Sequence, residues 1–220
     1  MTKKEATEGI LRRLATPLGK RGFSLLKTKA WFVGSDSKGF LPIFSFQLIS
    51  IEQNGVEFRP QASIRVVAIE TIMALAKQTP AAQNKNSVTL GSELGRLTGD
   101  VHRWRIEVRT EAELDDAAGL LVQAVDEAET AVFTKYDNLP AIDEHLNAAP
   151  AKLAVLSPLP VPRAELGIVV ARLLQRTDVP GLIDSHRAFL GTISKHDVKD
   201  FDDFLAQLDR AIATSTKEKD

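Results

Sequence analysis

The chain contains no cysteine. This excludes disulfides, thiolate nucleophiles and cofactors held through sulfur, and it fits a reducing compartment. No stretch reaches the roughly 18 consecutive apolar residues that a membrane-spanning helix needs. The basic start, Met1 to Lys4, runs into Glu5 and Glu8 instead of an apolar segment, so no secretion signal is read. The expectation is a soluble, cytoplasmic protein that contacts no membrane. None of the four histidines, His102, His145, His186 and His196, has the His-x-x-x-His or Glu-x-x-His spacing that places two ligands on one helix face. No metal and no cofactor are expected.

What is present is a charge split. Residues 1–109 hold 17 Lys+Arg against 9 Asp+Glu, residues 110–220 hold 11 against 20, and the whole chain nets −1. An asymmetry of this kind points to a charged partner. The boundary coincides with a change from strand-type to helix-type patterning, and 220 residues with a 44% apolar fraction suffice for one large domain or two small ones.

Ile10, Leu11, Leu14 and Leu18 recur at helical spacing over residues 3–20, with Arg12, Arg13, Lys20 and Arg21 on the other side and Gly22 as a stop. Three strand-like runs follow, 23–33, 40–51 and 56–68, the last two joined by Gln53-Asn54-Gly55, a strong hairpin signal. In the third run Val56, Phe58, Ala62, Ile64 and Val66 share one face and Glu57, Arg59, Gln61, Ser63 and Arg65 the other, which predicts one buried and one wet face. Pro60 predicts an edge strand or a bulge. A helix is expected over 69–77, a mobile excursion over 79–99 with a short strand at 87–90, and a fourth strand over 101–109 with Trp104, Ile106 and Val108 inward.

Thr110 and Glu113 form a capping box that opens a long helix to about Tyr136, striped by Leu114, Ala117, Ala118, Leu121, Val125, Ala128 and Val132. Asn138-Leu139-Pro140 begins another helix to about Ala149, and residues 153–162, with three prolines, are expected to be extended. Helices over 163–175, 179–191 and 195–213 complete the chain as a small bundle on the long helix. Ser194 is placed to cap the last of them, whose stripe reads Val198, Phe201, Leu205, Leu208 and Ile212. The fold class is α+β: an N-terminal helix and an antiparallel meander of about four strands, followed by a helical C-terminal half. The expected organisation is a sheet domain over 1–137 with a helical extension over 138–220 packed on it as one compact unit.

Candidate chemistry is sparse. Ser35-Asp36-Ser37-Lys38 has Ser-x-x-Lys spacing but sits in a hairpin loop, where Asp, Ser and Gly serve a tight turn. Gly34 to Gly39 lacks the phosphate-loop pattern. Asp197, Asp200, Asp202 and Asp203 fall in the first turns of a helix, where carboxylates favour the macrodipole. The acids of the long helix, Asp115, Asp116, Asp126, Glu127 and Glu129, read as a solvated face. No catalytic residue is assigned. The candidate binding residues are Arg59, Arg65, Arg103, Arg105 and Arg109, which the strand phases put on one side of the sheet. Such a face is solvated or covered by the protein's own acidic helices, or it docks an acidic protein through planar bidentate donors, or it holds nucleic acid or a small anion. Nucleic acid is disfavoured because Trp104 and Phe58 are phased inward.

The segment LRRLATPLGKRGF over 11–23, the pair Trp31-Phe32 and the sequence Phe44-Ser45-Phe46-Gln47 ahead of a hairpin resemble an uncharacterised bacterial family, the domain of unknown function 4304, over roughly residues 5–137. The resemblance implies no reaction and no catalytic residue. Proteins of this size and style often accompany secreted toxins as immunity proteins, so by association it implies protein binding. The reading is therefore a non-enzymatic protein-binding module, of the kind that neutralises a toxin by charge complementarity. The alternatives are a nucleic-acid accessory protein, or an enzyme whose residues converge only in the folded state. Head-to-tail self-association is left open, because a positive and a negative half can pair between chains.

Overall fold

Helix α1 (Lys3–Gly19) starts where Thr2 and Glu5 close a capping box and ends where Gly22, at φ +83°, admits a left-handed turn. There the Phe23 N–H donates to the Leu18 carbonyl and the Gly22 N–H to that of Gly19, the two bonds of a Schellman ending. The structure, a computed structural model, describes residues 1–52, 55–80 and 87–217. Gln53 and Asn54 of the expected hairpin turn, residues 81–86 of the expected excursion, and 218–220 of the tail lie outside the described residues.

The architecture is α+β, as the patterning predicts. After α1 come β1 (Ser24–Leu26), β2 (Trp31–Val33), β3 (Phe40–Ile51), β4 (Gly55–Val66), α2 (Val67–Ala76), β5 (Leu90–Glu93), α3 (Leu94–Thr98) and β6 (Ile106–Val108). The helical half is α4 (Leu114–Ala128), α5 (Leu139–Asn147), α6 (Pro160–Leu173), α7 (Val179–Ile193) and α8 (Lys195–Lys217). The sheet order is β1-β2-β3-β4-β5, with β6 also paired to β4.

Several local expectations are corrected. The first run is a tight hairpin and not one strand: a 3-10 turn at Lys27–Lys29 and left-handed Ala30 fold β1 back antiparallel onto β2, with Leu25 opposite Phe32. Residues 101–104 form turns, so the fourth strand shrinks to Ile106–Val108, although Trp104, Ile106 and Val108 are buried as phased. Strand β4 is neither an edge nor wet on one side. It has β3 on one edge and β6 and β5 on the other, and Glu57 and Ser63 on its second face are buried. Pro60 is tolerated there because β6 pairs with Val56, Glu57 and Phe58, while Gly91 of β5 lies against Ser63, which leaves Pro60 between the two partners.

Helix α4 opens with the expected Thr110–Glu113 capping box and a 3-10 turn, buries the expected stripe, and widens into a π turn at Glu129–Phe133 instead of running on to Tyr136. Helix α6 starts at Pro160, earlier than expected. A proline at the first position loses no intrahelical bond, since that N–H is an orphan in any helix. In α8 the Ser194 Oγ accepts from the His196 N–H as expected, but the buried stripe is Phe201, Phe204, Leu208 and Ala211, while Val198, Leu205 and Ile212 are half-buried.

The chain divides into two compact units. The first comprises 1–64 and 91–135, and residues 65–90 join 136–220 in the second. In the first, α1 packs on α4 so closely that a methyl group on Gly9 would meet Leu114 Cδ1 at 2.6 Å. In the second, α2, α5, α7 and α8 gather round α6, which is buried on all sides from Arg163 to Ala171. Counted by unit, the charge split disappears. The first unit holds 15 Lys+Arg against 15 Asp+Glu and the second 13 against 14.

Candidate functional site

The five arginines singled out from the sequence fall in different units and, apart from Arg105, are occupied. Arg59 Nε donates to Glu57 Oε1 at 2.5 Å and its guanidinium stands 4.0 Å from Glu93. Arg65, in the second unit, donates to the Ser87 carbonyl and hydroxyl at 2.8 and 2.7 Å, and burial lowers its pKa. Arg103 pairs with Glu127 at 2.5 Å and lies over the Trp104 ring at 4.7 Å, while Arg109 pairs with Glu107 at 2.8 Å. Arg105 is exposed, with no side-chain partner among the described residues. The acids of α4 are not simply solvated. Asp115 and Glu111 hold Arg13 at 2.6 and 3.1 Å, and Asp126 holds Arg21. Internal neutralisation thus absorbs most of the charge that the sequence displays.

A different cationic group is left over. Arg12 and Arg13 are neighbours in sequence but diverge on the helix, since 100° separates successive residues. Arg13 turns toward α4, and Arg12 turns toward β1. There the α1 face carrying Lys4, Glu8, Leu11 and Arg12 meets Leu25 and Lys27 of the β1 hairpin across a groove of about 920 Å³. Leu11 and Leu25 are half-buried at its floor, and Ala15 and the neighbouring Leu26 are exposed. Leu11 therefore belongs to the groove and not to the buried stripe to which its spacing assigns it.

At the rim, Lys4 stands 4.0 Å from Glu8, and Arg12 and Lys27 have no acidic partner among the described residues. The groove is thus apolar below and net positive above. Its outer strand is the end of the sheet, because β1 pairs with β2 and with no other described strand. The strand phases could not reveal this site, since it is made by a helix face and a three-residue strand. The signal available was the helical offset between Arg12 and Arg13.

The second unit holds its polar groups inside. Arg163, 2% exposed, donates to the carbonyls of Leu146 (2.7 Å), Ala149 (2.8 Å), Pro150 (3.0 Å) and Lys152, closing the C-terminal end of α5 and the turns after it. Asn147 donates to Asp143 and to the Gly167 carbonyl, and its Oδ1 lies 2.9 Å from His186 Nε2. Burial, aided by the Arg163 charge, pulls the His186 pKa down to about 4, so the imidazole is neutral. Glu165 is buried beside Lys77 Nζ at 2.5 Å, and burial raises its pKa against the pull of that lysine. Asp200 and Asp203 stand at the mouth of the same cleft of about 650 Å³. Each of these interior groups is committed to a neighbour in its own unit. No group of three His, Cys, Asp or Glu residues among the described ones could hold a metal ion.

Among the described residues no helix is long and apolar enough to cross a membrane. Ser35 to Lys38 form the tight turn expected of them, with Asp36 accepting from the Gly39 N–H at 2.6 Å and Lys38 and Gly39 both at positive φ. No family model, no curated protein and no solved structure matches the chain.

Proposed function

We propose that this chain is a non-enzymatic, cytoplasmic protein-binding module, of the immunity type that occupies a toxin, and that it engages an acidic region of its partner. The observation that carries the reading is the α1–β1 groove, where Lys4, Arg12 and Lys27 surround an apolar floor against one acid among the described lining residues, Glu8. Apolar contact supplies affinity there, and the unbalanced charge speeds encounter and selects the partner. Net charge does not support the reading, because each unit is close to neutral. The association with toxin-linked proteins of similar style is what favours an immunity role over other protein binding.

The test compares wild type with a Lys4, Arg12, Lys27→Glu triple variant and with Arg105→Glu as baits in native lysate, after circular dichroism confirms that all are folded. The captured protein is then purified, and its affinity is measured from 50 to 500 mM salt. The expected result is one partner retained by wild type and by Arg105→Glu, lost by the triple variant, bound more weakly as salt rises, and growth-inhibiting when expressed without this chain. A partner lost with Arg105→Glu instead would move the interface to the sheet arginines. A partner without toxicity would leave binding and remove the immunity role.

A further inference from the structure

We infer that the groove accepts an extended, acidic segment of the partner protein as an additional strand on β1. The inference rests on the binding reading above and specifies its mode. Strand β1 is three residues long, ends the sheet order and leaves the backbone groups of its outer edge without a described strand. An open edge of this kind is a template for pairing. Shortness and a flanking lysine blunt it against strands of ordinary composition, and Lys27 follows this one directly. The same lysine, with Lys4 and Arg12 across the groove, favours a strand whose outward side chains are acidic.

A second copy of this chain is the poorer occupant, since a two-fold antiparallel pairing of β1 edges brings Ser24, Leu25 and Leu26 of the other copy, and no acid, to the cations of the rim. Main-chain bonds from the edge would supply affinity, and alternate side chains falling between Leu11 and Leu25 would supply register. A partner helix is the less suitable occupant, because it would cover the apolar floor and leave the strand edge unpaired.

The test uses the full chain and a fluorescent eight-residue peptide of alternating Val and Glu, blocked at both ends, with anisotropy read at 50 mM salt. Three companion peptides replace Glu by Lys, methylate the amide nitrogens of the Val residues, or methylate those of the Glu residues. The Val–Glu peptide is expected to bind and the Val–Lys peptide not to. One methylated peptide, the one whose blocked nitrogens face β1, is expected to lose at least tenfold in affinity while the other retains it. Arg12→Glu in the protein should weaken binding at least fivefold, and amide exchange of Ser24 to Leu26 should slow when the peptide is bound.

Equal binding of both methylated peptides would overturn strand addition while leaving charge-complementary protein binding in place. No binding of the Val–Glu peptide, or equal binding of the Val–Lys peptide, would overturn the acidic strand as occupant. The lysate capture above reads the binding function independently, so the two failures are distinguishable.

Discussion

The two units treat charge differently. The first keeps several ion pairs on the outside, Arg13 with Asp115 and Glu111, Arg21 with Asp126, and Arg103 with Glu127, where every acid but Glu127 is more than half exposed, and buries Glu57 beside Arg59. The second takes polar groups into its interior, with Arg163, Glu165, Asn147 and His186 each 5% exposed or less. Exposed pairs contribute little to stability, whereas a buried polar group that loses its partner costs several kcal/mol. The contrast therefore separates a unit whose surface charge is free to change with function from one whose charge is bound up with folding. Cations such as Arg12 and Lys27 can remain unpaired in the first without penalty, while the titratable cluster of the second is spent on holding helices together.

The largest effect is expected from Arg163→Ala. It removes four carbonyl contacts from the second unit: the buried Leu146 carbonyl and the partly buried carbonyls of Pro150 and Lys152 lose this donor, while Ala149 keeps its bond from the Lys152 N–H. A loss of about 3–5 kcal/mol is expected from urea unfolding. Arg163→Lys should recover a part of it, because an ammonium supplies three donors but no planar fork. A loss below about 1 kcal/mol would mean that the interior network is dispensable and the contrast between units is false.

Acid should act on the same unit through His186. Its folded pKa of about 4 lies below the ordinary 6.5, so between those values the unfolded chain binds a proton that the folded chain does not. Stability is then full above pH 6.5 and falls as pH drops toward 4, by on the order of 3 kcal/mol in all. Unfolding midpoints measured every half unit of pH should show this slope, and His186→Gln, which retains a group to meet Asn147, should flatten it. An unchanged slope in the variant would assign acid sensitivity to other groups. Next in size is Gly167→Ala. A methyl group there would stand 2.4 Å from Asn147 Oδ1 and 3.1 Å from His186 Nε2, which forces the network apart. The expected cost is about 1–3 kcal/mol.

These interior roles were not legible in the sequence, and the reason is specific. Periodicity reports which face of an element is apolar, and by that signal the α+β class, the α4 stripe and the inward phase of Trp104, Ile106 and Val108 could be read, but not the β1–β2 hairpin or the short helix α3. It cannot report a charge that is buried because backbone carbonyls surround it, as at Arg163. Nor can it report the partner of an exposed charge. Arg59, Arg103 and Arg109 share a strand phase and so look like one surface, yet Glu57, Glu127 and Glu107 neutralise them singly. The charge split failed for a related reason. Position along the chain placed the acids of α4 in the negative half, while folding returned Asp115 to Arg13 of α1 and Asp126 to Arg21 in the turn that follows it.

The smallest effect is expected on the surface of the first unit. Asp115→Ala leaves Arg13 with Glu111 at 3.1 Å, on a surface where water replaces the lost oxygen. The urea midpoint should not move measurably, and raising salt from 50 to 500 mM should not separate the variant from wild type, because an exposed pair is already screened. The same substitution makes the α1–α4 side of the first unit more positive without touching the groove on the β1 side. A bound acidic peptide should therefore distinguish Asp115→Ala, with unchanged affinity, from Arg12→Glu, with affinity lost. Should Asp115→Ala instead destabilise the fold as Arg163→Ala does, the ion pairs of the first unit would be structural. The unpaired cations of its groove would then have to be explained by folding before they are explained by binding.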